Sequence, residues 1–376
     1  WLKKPCALQD KSSTRISPAL AEQLSIVIMA TPGQSLQQGS VATRTEDELL
    51  HQTIGSNGLL AYAQGALAHL CVWGGVQVGT LSPLISVGLY CFLGWRAAIA
   101  FVVLAVSSVL LPFRHSPSFC RFYLESASCT GGATVWFTKK MLPILRGDGF
   151  MVCMHPHGIL PLGFSFNGAL RVKAMQPTKY LPPDVSALAG CSGVQAPVLW
   201  KVPFMAAVLK LWDACTPASK SGMKKLMSSR TPFGILPGGS EEVAIHEHGR
   251  ENVYINSRYG FIKYGLEHGY ALLVCYSFGE SDQYYSFGAL RPLNLWLVKR
   301  FGFVLPIFWG KPFFPLLPRG GGVNTVYGGI VQLPKIEGPT NEDVVKWHKM
   351  YVDALKDVFD RYKSRFGYGD RELRCF

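Results

Sequence analysis

Between Glu48 and Arg96 the chain carries no Asp, Glu, Lys or Arg, and after Arg96 none again until Arg114. A run of that length is hard to place on a water-facing surface, and it accounts for much of the low overall charge. Charged residues are 16% of the 376 and hydrophobic residues 48%, whereas a soluble domain carries roughly 25% charged residues. Leu59–Leu81 and Leu84–Leu111 are each of the order of the ~20 apolar residues that cross a bilayer, and Ser82-Pro83 between them reads as a turn. The spacing predicts a transmembrane helical hairpin over residues 58–112. Arg96 interrupts its second arm and requires snorkelling or partial insertion. Arg114, His115, Arg121, Lys139 and Lys140 follow, and basic flanks place the rest of the chain on the cytosolic side.

The formal net charge is +13. A basic surface serves nucleic acid, an anionic leaflet or a phosphorylated substrate. The apolar segment favours the last two, and no nucleic-acid partner is expected. Ten cysteines are scattered with no Cys-x-x-Cys pair, which reads as reduced core thiols rather than a disulfide framework. Residues 1–57 are polar, rich in Ser, Thr and Gln, and read as a poorly ordered tail.

Residues 113–376 read as a globular α/β domain, a mixed sheet flanked by helices. Phe150–Met154, Phe233–Leu236 and Ala271–Phe278 are short apolar runs that stop at turns containing glycine, and Val326–Leu333 is a fourth run with glycines inside it. Helical patterns lie between them, at Met205–Trp212 and Gly222–Met227, and such alternation argues an α/β sheet. At the C-terminal end, Thr340-x-x-Asp343 starts a helix whose stripe of Val344, Trp347, Tyr351, Leu355, Val358 and Tyr362 packs inward.

The chemistry concentrates at the strand ends. His155-Pro156-His157-Gly158 follows the first strand directly, with Pro156 restricting the backbone and Gly158 allowing a tight turn. An imidazole titrates near neutrality and can take the proton of a hydroxyl that attacks a carbonyl. The spacing does not rank His155 against His157. Glu241 and Glu242 lie just past Pro237-Gly238-Gly239 at another strand end, and Glu242 is the expected partner carboxylate. The Gly238-Gly239 amides are candidate donors to an oxyanion. The competing chemistry is a metal site, since His155-x-His157 and His246-x-His248 both occur with two Glu nearby. No helical His-Glu-x-x-His accompanies them, and no metal is expected. Lys220, Lys224, Lys225 and Arg230 before Gly238, with Arg258 and Lys263 after it, are candidates for binding phosphates.

Together these residues resemble the type 2 diacylglycerol acyltransferase family, which also includes monoacylglycerol and acyl-CoA wax alcohol acyltransferases. The family's His-Pro-His-Gly signature is similar to residues 155–158. Its Gly-Gly-x-x-Glu matches Gly238 to Glu242, favouring Glu242 over Glu241, and its Arg-x-Gly-Phe-x-Lys block resembles Arg258 to Lys263. His268-Gly269, Phe278-Gly279-Glu280 and the tail from Val331 continue the likeness, which covers roughly residues 59–366. Met141-Leu142-Pro143, Lys220 and Cys275 depart from the family pattern, which marks a divergent member.

The resemblance implies an acyl-CoA-dependent O-acyltransferase acting on diacylglycerol to form triacylglycerol. His155 or His157 would be the general base, Glu242 its support, Gly158, Gly238 and Gly239 the turn and oxyanion glycines, and Lys220, Arg258 and Lys263 contacts for the acyl-CoA. It further implies residence in the endoplasmic reticulum membrane with a cytosolic site, extension to lipid droplets, no cofactor beyond the substrate acyl-CoA, and direct transfer with no covalent enzyme intermediate. Homo-oligomerisation stays open. The competing readings are a monoacylglycerol or wax alcohol acceptor, a zinc-dependent lipid hydrolase, and a non-catalytic lipid-droplet protein.

Overall fold

The computed structural model describes residues 49–169, 171, 191–212, 215–302, 304–305 and 307–376. Most of the polar tail expected over 1–57 lies outside the described residues. Its last part does not: Leu49–Ile54 forms a strand, β1, antiparallel to β2 (Ala133–Thr138). Six residues of mixed polarity carry no visible period, and what holds them is cross-strand. The His51 ring stacks on Trp136 at 4.5 Å between centroids, and the Thr53 and Thr134 hydroxyls are 2.9 Å apart.

An eight-stranded mixed sheet forms the centre. Beside β1 and β2 it holds β3 (Phe150–His155), β4 (Ser192–Gln195), β5 (Cys215–Pro217), β6 (Phe233–Ile235), β8 (Ala271–Phe278) and β11 (Val323–Gln332), in the order β1-β2-β11-β8-β3-β6-β4-β5. Outside it, β9 (Tyr285–Ser286) pairs antiparallel with β10 (Phe308–Trp309). β8, β3 and β6 are adjacent and parallel, so the loops that leave their C-terminal ends emerge along one edge. Both β3 and β8 are buried on every residue, as the apolar runs predicted. β7 (Glu251–Val253) pairs outside this sheet with the C-terminal β12 (Leu373–Cys375), in parallel.

The glycines inside β11 have a packing reason. A Cβ at Gly328 or Gly329 would press within 3.0 Å of Val358 side-chain atoms on the long C-terminal helix Asn341–Tyr362. That helix starts at the predicted capping box, where the Thr340 hydroxyl accepts from the Asp343 amide at 3.1 Å and an Asp343 oxygen accepts from the Thr340 amide at 3.0 Å. Cys71, Cys91, Cys120, Cys129, Cys153, Cys191, Cys275 and Cys375 are free thiols, five of them buried.

The apolar segment departs from the expected hairpin. Leu59–Thr80, α1, is long and apolar enough to cross a membrane, yet one face packs on the globular unit. Val72 and Trp73 are buried, the Trp73 indole donates to the Tyr123 hydroxyl at 2.6 Å, and a Cβ on Gly79 would overlap the Pro203 carbonyl. Ser82-Pro83 is not the reversal. Pro83 sits in the first turn of α2 (Ser82–Leu93), where the missing amide costs nothing. The chain turns back at Gly94, φ 83°, into α3 (Trp95–Leu110), which packs against α2. At its far end, α3 is tied to the globular unit. Lys210 donates to the carbonyls of Val109 and Leu111, and the Ser108 hydroxyl accepts from the Phe204 amide at 2.8 Å. α2 has no buried residue, and Leu84, Val87, Tyr90, Phe92 and Trp95 are all more than half exposed.

Candidate active site

Three loops from adjacent strands meet at the sheet edge. β3 ends in His155-Pro156-His157-Gly158, β6 leads into Pro237-Gly238 and the short helix Gly239–Ala244, and β8 leads into Gly279-Glu280. In open α/β sheets this edge is where ligands bind.

The two histidines have different surroundings. His155 is fully buried, its Nε2 3.0 Å from the Tyr351 hydroxyl and its Nδ1 3.5 Å from Glu242 Oε2, an ion-pair distance long for a hydrogen bond. His157 is half-buried and lines a cavity of about 520 Å³. Its Nδ1 is 3.1 Å from the Gly158 carbonyl, so Nδ1–H donates there and Nε2 is left as the acceptor. Burial lowers the His157 pKa and the nearby Glu242 raises it, with burial the larger influence. Burial thus favours the uncharged ring.

Glu242 holds the backbone rather than the cavity-facing ring. Oε1 accepts from the His157 amide at 2.5 Å and Oε2 from the Tyr254 amide at 3.0 Å. Any side chain on Gly238 would overlap this carboxylate. Glu242 thus lies within ion-pair distance of the His155 ring and bonds the main chain of His157, not its ring. Glu241 points elsewhere, into an ion pair with Arg258.

A second buried carboxylate, which sequence reasoning did not single out as a site residue, grips the far side of the same loop. Glu280 accepts from the amides of Leu162 at 3.1 Å and Gly163 at 2.6 Å. Gly158, φ 65°, is glycine because a Cβ there would overlap Glu280 as well as strain the backbone. The Phe-Gly-Glu likeness was the available signal. Tyr351 was legible only as a core position on its helix; its hydroxyl gives it a role at the site.

The pH consequence of Glu280 has a definite sign. Burial pushes its carboxyl up to about 8, against the pull of the two amides. The folded protein then keeps a proton that the unfolded chain loses, so this group's contribution weakens as pH rises from 4.5 toward 8. Glu280→Gln is expected to flatten the decline of unfolding free energy across that window, read as the difference between two chemical-denaturation series. Parallel curves for the two proteins would refute it.

The oxyanion and phosphate candidates separate. The Gly239 amide is spent on the Leu236 carbonyl at 3.0 Å and is not free for an oxyanion, a correction that follows from the tight turn its φ of 57° closes. Lys220 and Lys263 are exposed, and neither lines the cavity. Arg258 does line it. One of its nitrogens donates to the Gly238 carbonyl at 2.9 Å, and its Nε is buried without a partner among the described residues. Most of the remaining wall is apolar, including Leu199, Met205, Trp212, Leu236 and Phe261. Cavities of this size and character hold small organic ligands.

The second histidine pair does not join the first. His246 Nε2 lies 3.1 Å from the Tyr284 carbonyl, burial lowers its pKa to about 3, and the His248 ring packs on Tyr285 at 4.1 Å. Among the described residues no three His, Cys, Asp or Glu side chains converge as metal ligands would.

The chain is similar to known proteins over most of this unit. It is 30% identical over 252 residues to diacylglycerol O-acyltransferase 1 of Eremothecium gossypii, covering 64% of this chain and 53% of that protein. It is 32% identical over 249 residues to human diacylglycerol O-acyltransferase 2, covering 61% of each. It is also 32% identical to mouse acyl-CoA wax alcohol acyltransferase 2, covering 63% of this chain and 73% of that protein. The chain thus spans little more than half the length of the first two relatives. Among solved structures, the 1-acyl-sn-glycerophosphate (LPA) acyltransferase PlsC from Thermotoga maritima aligns over 81% of this chain and 98% of its own, at 12% identity and a TM-score of 0.31. A family model described as diacylglycerol acyltransferase matches residues 139–374, well over half the chain and all three loops of the site, and the chain belongs to that family.

Proposed function

We propose that this chain transfers a fatty acyl group from an acyl-CoA thioester to the free hydroxyl of diacylglycerol. The observation that carries this reading is the His157 ring, its Nε2 unoccupied by its own loop, at the wall of a large apolar cavity. Nε2 takes the proton of the acceptor hydroxyl as its oxygen attacks the thioester carbonyl. The C–S bond then breaks, and the leaving thiolate takes the proton from the imidazolium. No covalent enzyme intermediate forms. Nδ1–H stays on the Gly158 carbonyl throughout and keeps the ring aimed. Arg258, the only Lys or Arg among the described residues lining the cavity, is the candidate donor to the developing oxyanion or to a CoA phosphate.

The test is lipid product analysis after expression in a yeast strain unable to store neutral lipid. Triacylglycerol is the expected product, and an unchanged lipid profile from a folded, membrane-bound protein would reject the reading. Competition between diacylglycerol, monoacylglycerol and a long-chain alcohol separates the acceptors; the wax alcohol relative makes the last worth including.

The chain works at a membrane on this reading, at the endoplasmic reticulum with the sheet unit in the cytosol and access to lipid droplets. The exposed apolar pair α2 and α3 supports it. At 12 and 16 residues these helices are about 18 and 24 Å long, short of the ~30 Å hydrocarbon core. They enter one leaflet at a tilt and return, and Arg96, beside the turn at the deep end, must snorkel. Replacing Val87 and Phe92 together by Asp is expected to release the protein from microsomes into the alkaline-carbonate supernatant, since each Asp costs about 2.5–3.5 kcal/mol in hydrocarbon. Retention of the double variant in the pellet would count against this anchor.

A further inference from the structure

A second apolar surface lies well apart in sequence from α2 and α3. No Asp or Glu occurs between Asp282 and Glu337, while Arg291, Lys299, Arg300, Lys311, Arg319 and Lys335 fall inside that stretch. Within it, the helix Arg291–Phe301 turns Leu293, Trp296 and Arg300 to one side, three and four residues apart. Leu293 and Trp296 are exposed, as are Phe301, Trp309, Phe313 and Phe314 beyond them, with Phe313 at 90%. Lys299 and Arg300 are exposed among these rings. An aqueous surface gains nothing from so many bare aromatics, but Trp and Phe interleaved with Lys and Arg suit the headgroup region of a bilayer.

Two contacts make this face part of the active-site architecture. Gly302 and Val304, on the turn that follows the helix, line the same cavity as His157. Farther along, Lys311 donates to the Tyr62 hydroxyl at 2.8 Å, on the α1 helix that leads into α2 and α3. The stretch is therefore a cavity wall on one side and an exposed aromatic, basic surface on the other, braced against the helix that carries the anchor.

We infer that residues 287–302 and 307–314 form a second membrane-docking surface, specific for an anionic leaflet, which seats the cavity against the bilayer so that a lipid acceptor enters from the membrane. The inference rests on the membrane attachment proposed above. The occupant is a lipid surface because the whole stretch lacks acidic residues, and negative phospholipid headgroups complement it.

The experiment uses the full chain reconstituted into phosphatidylcholine vesicles, with and without phosphatidylserine, carrying a trace of phosphatidylcholine with a photoactivatable acyl chain. Peptide mass spectrometry locates the cross-linked lipid. Lipid is expected on peptides from 287–314 and on those from 82–110. Replacing Lys299 and Arg300 together by Glu, or omitting phosphatidylserine, should lower labelling of 287–314 about tenfold or more and leave labelling of 82–110 unchanged. Labelled 82–110 with bare 287–314 overturns the inference while sparing the anchor. So does labelling of 287–314 indifferent to both charge changes, or its protein–protein cross-linking to a second copy of the chain in place of lipid. Bare peptides in both regions overturn the anchor and the second surface together.

Discussion

His157→Ala is expected to lower acyl transfer by about 10²- to 10⁴-fold, the range a positioned general base supplies, while the protein keeps its fold and its affinity for acyl-CoA. The ring is half-buried at the cavity wall, and its side-chain hydrogen bond is to the neighbouring Gly158 carbonyl, so little structure depends on it. His155→Ala should behave in the opposite way. That ring is fully buried between Glu242 and Tyr351. Its removal leaves a cavity and an unpaired tyrosine hydroxyl, a loss of roughly 2–4 kcal/mol of stability. Single-turnover kinetics on matched thermal-denaturation samples distinguishes the two. The assignment fails if His157→Ala retains its turnover, or if His155→Ala melts like wild type and is the inactive one.

Much of this site was legible because its parts are local in sequence. A short apolar run followed at once by His-Pro-His-Gly is readable without knowing where the strand lies. Phe150, Phe233 and Ala271 each begin a strand within the expected runs. What joins them is not local. The order β8-β3-β6 brings Glu280, His157 and Glu242 together from positions more than eighty residues apart in parts, and no spacing rule reports a sheet order. Hydropathy likewise reported that residues 59–111 avoid water, but not what replaces it. α1 exchanges water for the protein's own core, through Val72, Trp73 and Gly79, whereas α2 leaves its apolar side chains uncovered. The reversal was misplaced because a Ser-Pro pair opens a helix as readily as it makes a turn, and the positive φ of Gly94 is a backbone property that only the helical context on both sides reveals. Strands of two to six residues with mixed polarity, β1 and β7 among them, exist through their partners and leave no period to read.

Glu242→Gln tests whether the carboxylate works through charge on a ring or through its grip on the main chain. Both carboxylate oxygens accept from amides, those of His157 and Tyr254, on opposite sides of the site. The Tyr254 side is itself braced, since the Phe376 carbonyl accepts from the Ile255 and Asn256 amides at 2.9 and 2.7 Å. A glutamine offers one oxygen, and its NH₂ group must face the second amide, donor against donor. The buried amide left unpaired costs about 1–3 kcal/mol, and the loop relieves it by moving. Because a displacement near 1 Å at the reacting group can cost about 10²-fold, the isosteric change is expected to lower kcat at least that much along with the melting temperature. Glu242→Asp should not rescue it, as one methylene fewer withdraws the carboxylate from both amides. A glutamine variant with wild-type turnover and melting temperature would show that the two amides do not need a carboxylate. The His157 loop would then have to be held by Glu280 alone, through Leu162 and Gly163.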